Sequence, residues 1–506
     1  MRVMSASPFV PSLRPLRRRL LRFALLGVVG AFGALLAIAV GDALYSESLP
    51  ELRPWQTERL RNEFEASQAQ GAYDFAAYRE QEGRLSEEVS ALTRAAYDPQ
   101  KDATISRYRP DGGPYAARVE GDWNRSFVLE GVPGRGVTLV VHGLSDSPYS
   151  MRATALALNR AGLTVYGLRL PGHGTIPAGL DAARWQDWMA AVSLVVRQIR
   201  RDHPQAPLWY VGYSTGATLG LKHSARAVLE GRADLLPERL FLMSPALGVS
   251  PFAPLANVQR LVSRWGIAPK ARWASVGPEL DPYKYESFAK NAGAQIASLI
   301  RSLYADLDRM DQDGSIGRFP PVTSFQSIVD ATVSTRDLVS RFYGVLRGGT
   351  SELVLFDVNR RASVAPLLAF SPKAIVEAFE TAPRRDYRLT ILGNTDGADT
   401  LTERSWAPGE TTPVDRALQL EWPEDVYSLS HVAIPFPPDD PIYGLGRGVG
   451  PDGLPSLGAL AMRGERGALA IAAADQLRLR ANPFFEDTIA RILARIAETP
   501  TRAAAR

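Results

Sequence analysis

A chain of 506 residues, 45% hydrophobic and 22% charged, can bury a large core and lacks the bias of a disordered or coiled-coil sequence. Its net charge of +4 belongs to the tail: without the six arginines that precede Asp42 the remainder carries −2, which gives no case for a nucleic-acid partner. The absence of cysteine excludes disulfides, thiolate metal sites and cysteine nucleophiles, and the five histidines stand singly, so neither a metal nor an organic cofactor is implied.

Residues 1–22 form a basic tail with Arg2, Arg14, Arg17, Arg18, Arg19 and Arg22. The stretch 23–40, FALLGVVGAFGALLAIAV, is 18 uncharged residues, the lower bound for a spanning helix. Flanked by arginines on one side and by Asp42 and Glu47 on the other, it predicts a transmembrane anchor over 23–45. The charge asymmetry keeps the N-terminus inside and sends the rest across the inner (cytoplasmic) membrane, with the large domain periplasmic or extracytoplasmic. An A-x-A pattern at 37–39 makes a cleaved signal the alternative.

Residues 46–100 read as a charged helical stalk, WQTERLRNEFEASQAQ and YREQEGRLSEEVSALTRAAY, to which no chemistry is assigned. YAARVEG and SFVLEG predict short strands. From GVTLVVHG onward strands alternate with helices through 101–250: MRATALALNRAG, LTVYGLRL, ARWQDWMAAVSLVVRQIRRD, PLWYVGYS, TGATLGLKHSARAVLEG and RLFLMSPA. That order predicts an α/β fold with a mostly parallel central sheet and helices on both faces. Regularity lapses over 251–318, which carries Trp265 and Trp273 and is expected as a cap insertion above the strand ends. The core resumes over 319–360 with PPVTSFQSIVD, RDLVSRFYGVLRG and SELVLFDVN. A second insertion, 361–426, contains one strand-like run, YRLTILGN. Residues 427–506 complete the core with a histidine-bearing loop and the helix NPFFEDTIARILARIAE.

The chemistry centres on GYSTG at 212–216, between an apolar strand and a helix. A serine on that strand-to-helix turn is held in a strained conformation with its hydroxyl projecting, and only small residues fit at Gly212 and Gly216. Ser214 is therefore the expected nucleophile, and it needs a base. His142 and His173 lie in loops before it, and His203 is at the wrong end of the sheet. His223 is nine residues into the following helix, roughly 13 Å along its axis. Only His431 follows in the chain order serine, acid, histidine. The acid that orients it is expected to be Asp330, which ends an apolar strand, with Asp357 the rival and Asp396 or Asp399 third. Oxyanion donors are expected from the backbone amides of Thr215 and of Leu144 in the loop HGLSDSPYSM. His142 reads as structural, and Ser145 and Ser147 as ordinary turn serines.

With these residues in place the chain resembles the bacterial carboxylesterase and monoacylglycerol-lipase branch of the α/β-hydrolase superfamily. HGLSDSPYSMR is similar to its oxyanion loop, YGLRLPGHGTIPAGL to its GHG segment, ARWQDW to the start of its next helix, and VTSFQSIVDATVS to its acid loop. The likeness covers roughly residues 136–250 and 319–357, with His431 beyond. It implies an α/β-hydrolase fold. It departs from the family in spacing: Asp330 and His431 are 101 positions apart, where the family has a few tens.

The expected activity is hydrolysis of carboxylic esters through an acyl-enzyme, on small-molecule or lipid-like esters such as monoacylglycerols or lysophospholipids. The membrane would be a partner through the N-terminal helix. A serine peptidase, amidase or acyltransferase using the same triad is the second expectation, and a non-catalytic envelope binding protein the third.

Overall fold

The computed structural model describes residues 40–248, 269–361, 385–395, 398–446, 452–459 and 478–498, with isolated positions in 23–37, 376–379 and at 450. The stretch 23–45 expected as an anchor falls partly outside the described residues. Among those described, no helix is long and apolar enough to cross a membrane. Trp265 and Asp396 also lie outside them.

The strands are β1 (Phe127–Leu129), β2 (Val137–Val141), β3 (Thr164–Leu168), β4 (Leu208–Tyr213), β5 (Arg239–Met243), β6 (Trp273–Ser275), β7 (Phe288–Ala289), β8 (Val322–Ser327), β9 (Glu352–Phe356), β10 (Arg388–Asn394), β11 (Thr400–Trp406) and β12 (Val414–Glu421). Ten of them form one sheet in the order β1-β3-β2-β4-β5-β8-β9-β10-β11-β12, while β6 and β7 pair separately. From β3 to β10 every neighbouring pair is parallel, and β1, β11 and β12 run antiparallel at the margins. β2 (VTLVV), β4 (LWYVGY) and β9 (ELVLF) are buried at every position, as strands covered on both faces must be.

The longer helices are α1 (Phe75–Ala96), α2 (Arg152–Arg160), α3 (Trp185–Asp202), α4 (Thr215–Leu229), α5 (Lys290–Gln312) and α6 (Phe485–Ala497). One face of the sheet packs with α3, α4 and α5 through Trp188, Val192, Ile199, Leu219, Ile296 and Leu303. The other packs with α2 and α6 through Ala155, Leu158, Phe485, Ile489 and Ile492.

Three expectations are revised. YAARVEG contains a 3₁₀ turn, Ala116–Arg118, rather than a strand. The stalk is not free-standing: Phe64, Phe75 and Tyr78 join the main core. Its carboxylates Glu63 and Glu82 clasp the buried Arg169 at 2.9 Å each, where a charge needs such partners to be buried at all. The described part of the second insertion adds β10, β11 and β12 to the sheet instead of an irregular excursion. β10 extends the parallel order beside β9, and β11 and β12 follow as a charged antiparallel pair.

Candidate active site

The parallel strands β2, β4 and β8 end at one edge of the sheet, and the loops that leave them carry Leu144, Ser214 and Asp330. Ser214 has φ 51° and ψ −113°, a left-handed conformation that costs a non-glycine residue energy and aims its side chain out of the turn. The surroundings leave no room for larger neighbours. A Cβ on Gly216 would meet the Val141 carbonyl oxygen at 2.2 Å, and one on Gly212 would meet the Ala217 backbone at 2.6 Å. Both glycines are thus required by close backbone approach.

His431 opens a single 3₁₀ turn, His431–Ala433. Its Nε2 lies 3.1 Å from Ser214 Oγ and its Nδ1 2.9 Å from Asp330 Oδ2. All three side chains are nearly shielded from solvent. Asp330 accepts further bonds: the N–H groups of Thr332 (2.8 Å) and Val333 (3.0 Å) reach Oδ1, and Gln326 Nε2 reaches Oδ2 at 3.0 Å. Burial disfavours the carboxylate, yet the bond to His431 and these amides outweigh it and hold the pKa of Asp330 below the ordinary value. An anion so held can fix the imidazole tautomer that presents a bare Nε2 to the hydroxyl.

The other expected residues fall as follows. Thr215 begins α4, so its N–H is among the helix-start donors without an intrahelical acceptor. Leu144 is half-buried in the loop after β2, and its N–H has no acceptor among the described residues. His142 is not brought to Ser214. Its Nδ1 faces the Gly143 carbonyl at 2.8 Å and its Nε2 accepts from Leu170 N–H at 3.0 Å. Burial first, then His173 close by, drives its pKa well below the usual histidine value. Of the rival acids, Asp357 pairs with Arg360 at 2.9 Å and Asp399 with Arg361 at 3.0 Å. Trp273, expected in an apolar cap, is 1% exposed and packed into the main core, so it offers no lining to a substrate.

Sequence reasoning missed a set of polar residues that hold the histidine loop. Tyr149 OH donates to both oxygens of Asp440, at 3.0 and 3.1 Å, and stacks on Tyr283 with ring centroids 3.8 Å apart. Asp440 also accepts the N–H groups of Ile442 and Tyr443 at 2.9 Å. Tyr443 OH in turn donates to the buried Asp281 at 2.6 Å. The residues lie in three separate loops, and only the alternation of Tyr and Asp around proline-rich turns hinted at them. A 70 Å³ pocket abuts this region against Tyr213 and Val432, whereas two larger clefts of 420 and 740 Å³ touch none of Ser214, His431 or Asp330.

Comparison with known proteins gives three findings. The family described as "Serine aminopeptidase, S33" matches residues 133–344. A thermostable monoacylglycerol lipase of Bacillus sp. (strain H-257) is 36% identical over 83 residues, 16% of this chain and 32% of that protein, so the chain spans about a third of that relative's length. Among solved structures, a metagenome-derived lipolytic enzyme of the LipS and LipT study aligns at 22% identity and a TM-score of 0.37, over 47% of this chain and 88% of its own. The monoacylglycerol lipase of Paleococcus ferrophilus aligns at 18% identity and a TM-score of 0.35, over 46% and 88%.

Proposed function

We propose that the chain, whose residues 133–344 match the serine aminopeptidase family, is an α/β-hydrolase: a serine hydrolase that cleaves carboxylic esters through an acyl-enzyme. Ser214 Oγ attacks the ester carbonyl as His431 Nε2 takes its proton; the imidazolium, steadied by Asp330, then protonates the departing alcohol. The amides of Leu144 and Thr215 receive the oxyanion. Water repeats the sequence on the acyl-enzyme and restores Ser214. The observation that carries this reading is the hydrogen-bonded run Ser214–His431–Asp330, at 3.1 and 2.9 Å, across separations of 217 and 101 positions.

Lipid-like acyl esters, monoacylglycerols among them, are the proposed substrates, supported by the matched segment of the Bacillus lipase. An N-terminal membrane anchor over 23–45 goes with that proposal. Its support is the arginine cluster in front of it and the exposed side chains of Phe23, Leu25, Leu26, Val29 and Leu44. A second reading, amide or peptide cleavage by the same triad, is favoured by the match to the serine aminopeptidase family.

The test is hydrolysis of aryl esters of increasing acyl length by the full chain in detergent, beside an aminoacyl anilide. Rates that rise to medium or long acyl chains support the lipid-ester reading. An optimum at acetate removes it, and cleavage of the anilide alone replaces esterase by amidase. Retention in the membrane fraction, with protease access to the large domain only from the periplasmic side, checks the anchor.

A further inference from the structure

The 70 Å³ pocket beside the candidate triad is lined by Lys284, Arg478 and Arg480 as well as by Tyr213 and Val432, the chain neighbours of Ser214 and His431. One water needs about 10–15 Å³ of such space, so a group the size of a carboxylate or phosphate has room. Among the described residues, most donors of the three cations have no acceptor within hydrogen-bond distance. Lys284 Nζ stands 3.6 Å from Asp146, and Arg480 Nη1 stands 3.6 Å from Asp281. Both separations exceed the ~2.7–2.9 Å of a charge-assisted hydrogen bond. Arg478 has no carboxylate partner among the described residues; its one bond runs from Nη2 to Thr332 Oγ1 at 2.6 Å. A guanidinium carries five donors and an ammonium three. Asp146 and Glu286 also line the wall, against the three cations. Burial raises the pKa of Asp146, which weakens its hold on a negative charge.

The pocket also has a side. A catalytic imidazolium protonates the leaving oxygen, so the alcohol part of an ester lies toward the histidine. Val432, on the pocket wall, adjoins His431. Arg478 reaches the same centre from the acid loop, since Thr332, which it holds through Oγ1, gives its N–H to Asp330.

We propose that this pocket is a subsite for an anionic oxyacid group, carboxylate or phosphate, carried on the alcohol part of the ester. The proposal rests on the ester-hydrolase reading above and adds the charge of the leaving alcohol.

The full chain in detergent is given 4-(butyryloxy)benzoate and its neutral counterpart 4-(butyryloxy)benzamide, with 4-(butyryloxy)phenyl phosphate as the second anionic arm. One anionic ester is expected to exceed the amide in kcat/KM by about tenfold, the size of a single charge-assisted contact, and the better arm identifies the oxyacid. Arg478→Gln and Lys284→Gln each bring that ratio toward one. A ratio near one in the unaltered protein, or a ratio that both variants leave intact, overturns the proposal. Calorimetry with Ser214→Ala and the products 4-hydroxybenzoate and 4-hydroxybenzamide reads the subsite without turnover. If no ester is cleaved, preferential binding of the benzoate retains the subsite and discards the esterase reading, whereas equal binding discards the subsite.

Discussion

The elbow that carries Ser214 and the loop that carries His431 hold their side chains by opposite means. At the elbow the backbone does the holding: β4 runs straight into α4, two glycines admit the close backbone approach, and Ser214 N–H bonds to the Met243 carbonyl of the next strand at 2.9 Å. Among the described residues, the segment of the histidine loop has short 3₁₀ turns, His431–Ala433 and Leu457–Ala459, and little other regular structure. It is fixed by side chains from elsewhere: Tyr149 to Asp440, Tyr443 to Asp281, and Tyr213 OH to the His431 carbonyl at 3.4 Å. The proposed nucleophile is encoded by a short string, but its proposed base is encoded by contacts between distant segments.

Two substitutions test the chemistry that both regions serve. Ser214→Ala removes the proposed attacking atom and should cut kcat on the order of a millionfold where chemistry limits, with the melting temperature hardly moved. A loss below a hundredfold means another nucleophile acts. Asp330→Asn keeps the shape but reverses the tautomer preference, and it should cost about 10⁴-fold. Asp357→Asn, at the end of the neighbouring strand, should change kcat little, because Asp357 is bound to Arg360. Equal losses from the two variants would mean that neither carboxylate is the orienting acid.

The contrast also accounts for what the sequence made legible. The alternating pattern predicts the parallel core, and it predicts Ser214 and Asp330, because buried strands are continuous apolar runs and each site residue sits at a strand end. Elimination reaches His431, though the means of holding it stay hidden: Asp281, Asp440 and Tyr149 meet only in three dimensions. β11 and β12 were illegible for another reason. TLTERSW is mostly half-buried and VDRALQLE largely solvent-facing, and their cross-strand pairs Arg404–Asp415 and Arg416–Glu403 read in one dimension as a charged loop. α1 misled in the opposite sense, since its buried Glu82 looks like one more surface charge until Arg169 is seen beside it.

Beneath the histidine loop lies the segment of Asp281, and its neighbour Glu279 supplies a pH test. Glu279 is fully buried at φ 51°, its carboxylate bound by the N–H groups of Ser287 and Glu286 at 2.8 and 3.2 Å. Burial raises its pKa to about 7. Between the unfolded glutamate value of about 4.3 and 7 the native state therefore binds more protons than the unfolded state, so stability falls as pH rises through that window. The contribution is on the order of 3 kcal/mol, fully lost above pH 7. Buried His142, His173 and His223 have lowered pKa values and act in the other direction, removing stability as pH falls below the ordinary histidine value of about 6.5. Denaturant unfolding at pH 5 and pH 8 separates them: going from pH 5 to pH 8, Glu279→Gln should gain more stability, or lose less, than the unaltered protein. An identical change in both proteins would show that Glu279 titrates normally.

The smallest effect makes the finest cut between the two regions. Tyr149→Phe and Tyr210→Phe each remove one buried hydroxyl: the first from Asp440 under the histidine loop, the second from the Gly216 carbonyl inside the elbow, a 2.7 Å bond. Loss of a buried hydrogen bond costs about 1–3 kcal/mol in either place. The rings remain to pack, and that of Tyr149 keeps its stack on Tyr283. In the elbow the backbone still dictates where Ser214 points, so Tyr210→Phe should lower the melting temperature with kcat within about twofold of normal. In the loop the lost bond is one of the few that place His431, so Tyr149→Phe should lower kcat roughly tenfold, with a smaller change in KM, for the same loss of stability. Equal kcat values at matched stability would erase the distinction, because the histidine would then be held as locally as the serine.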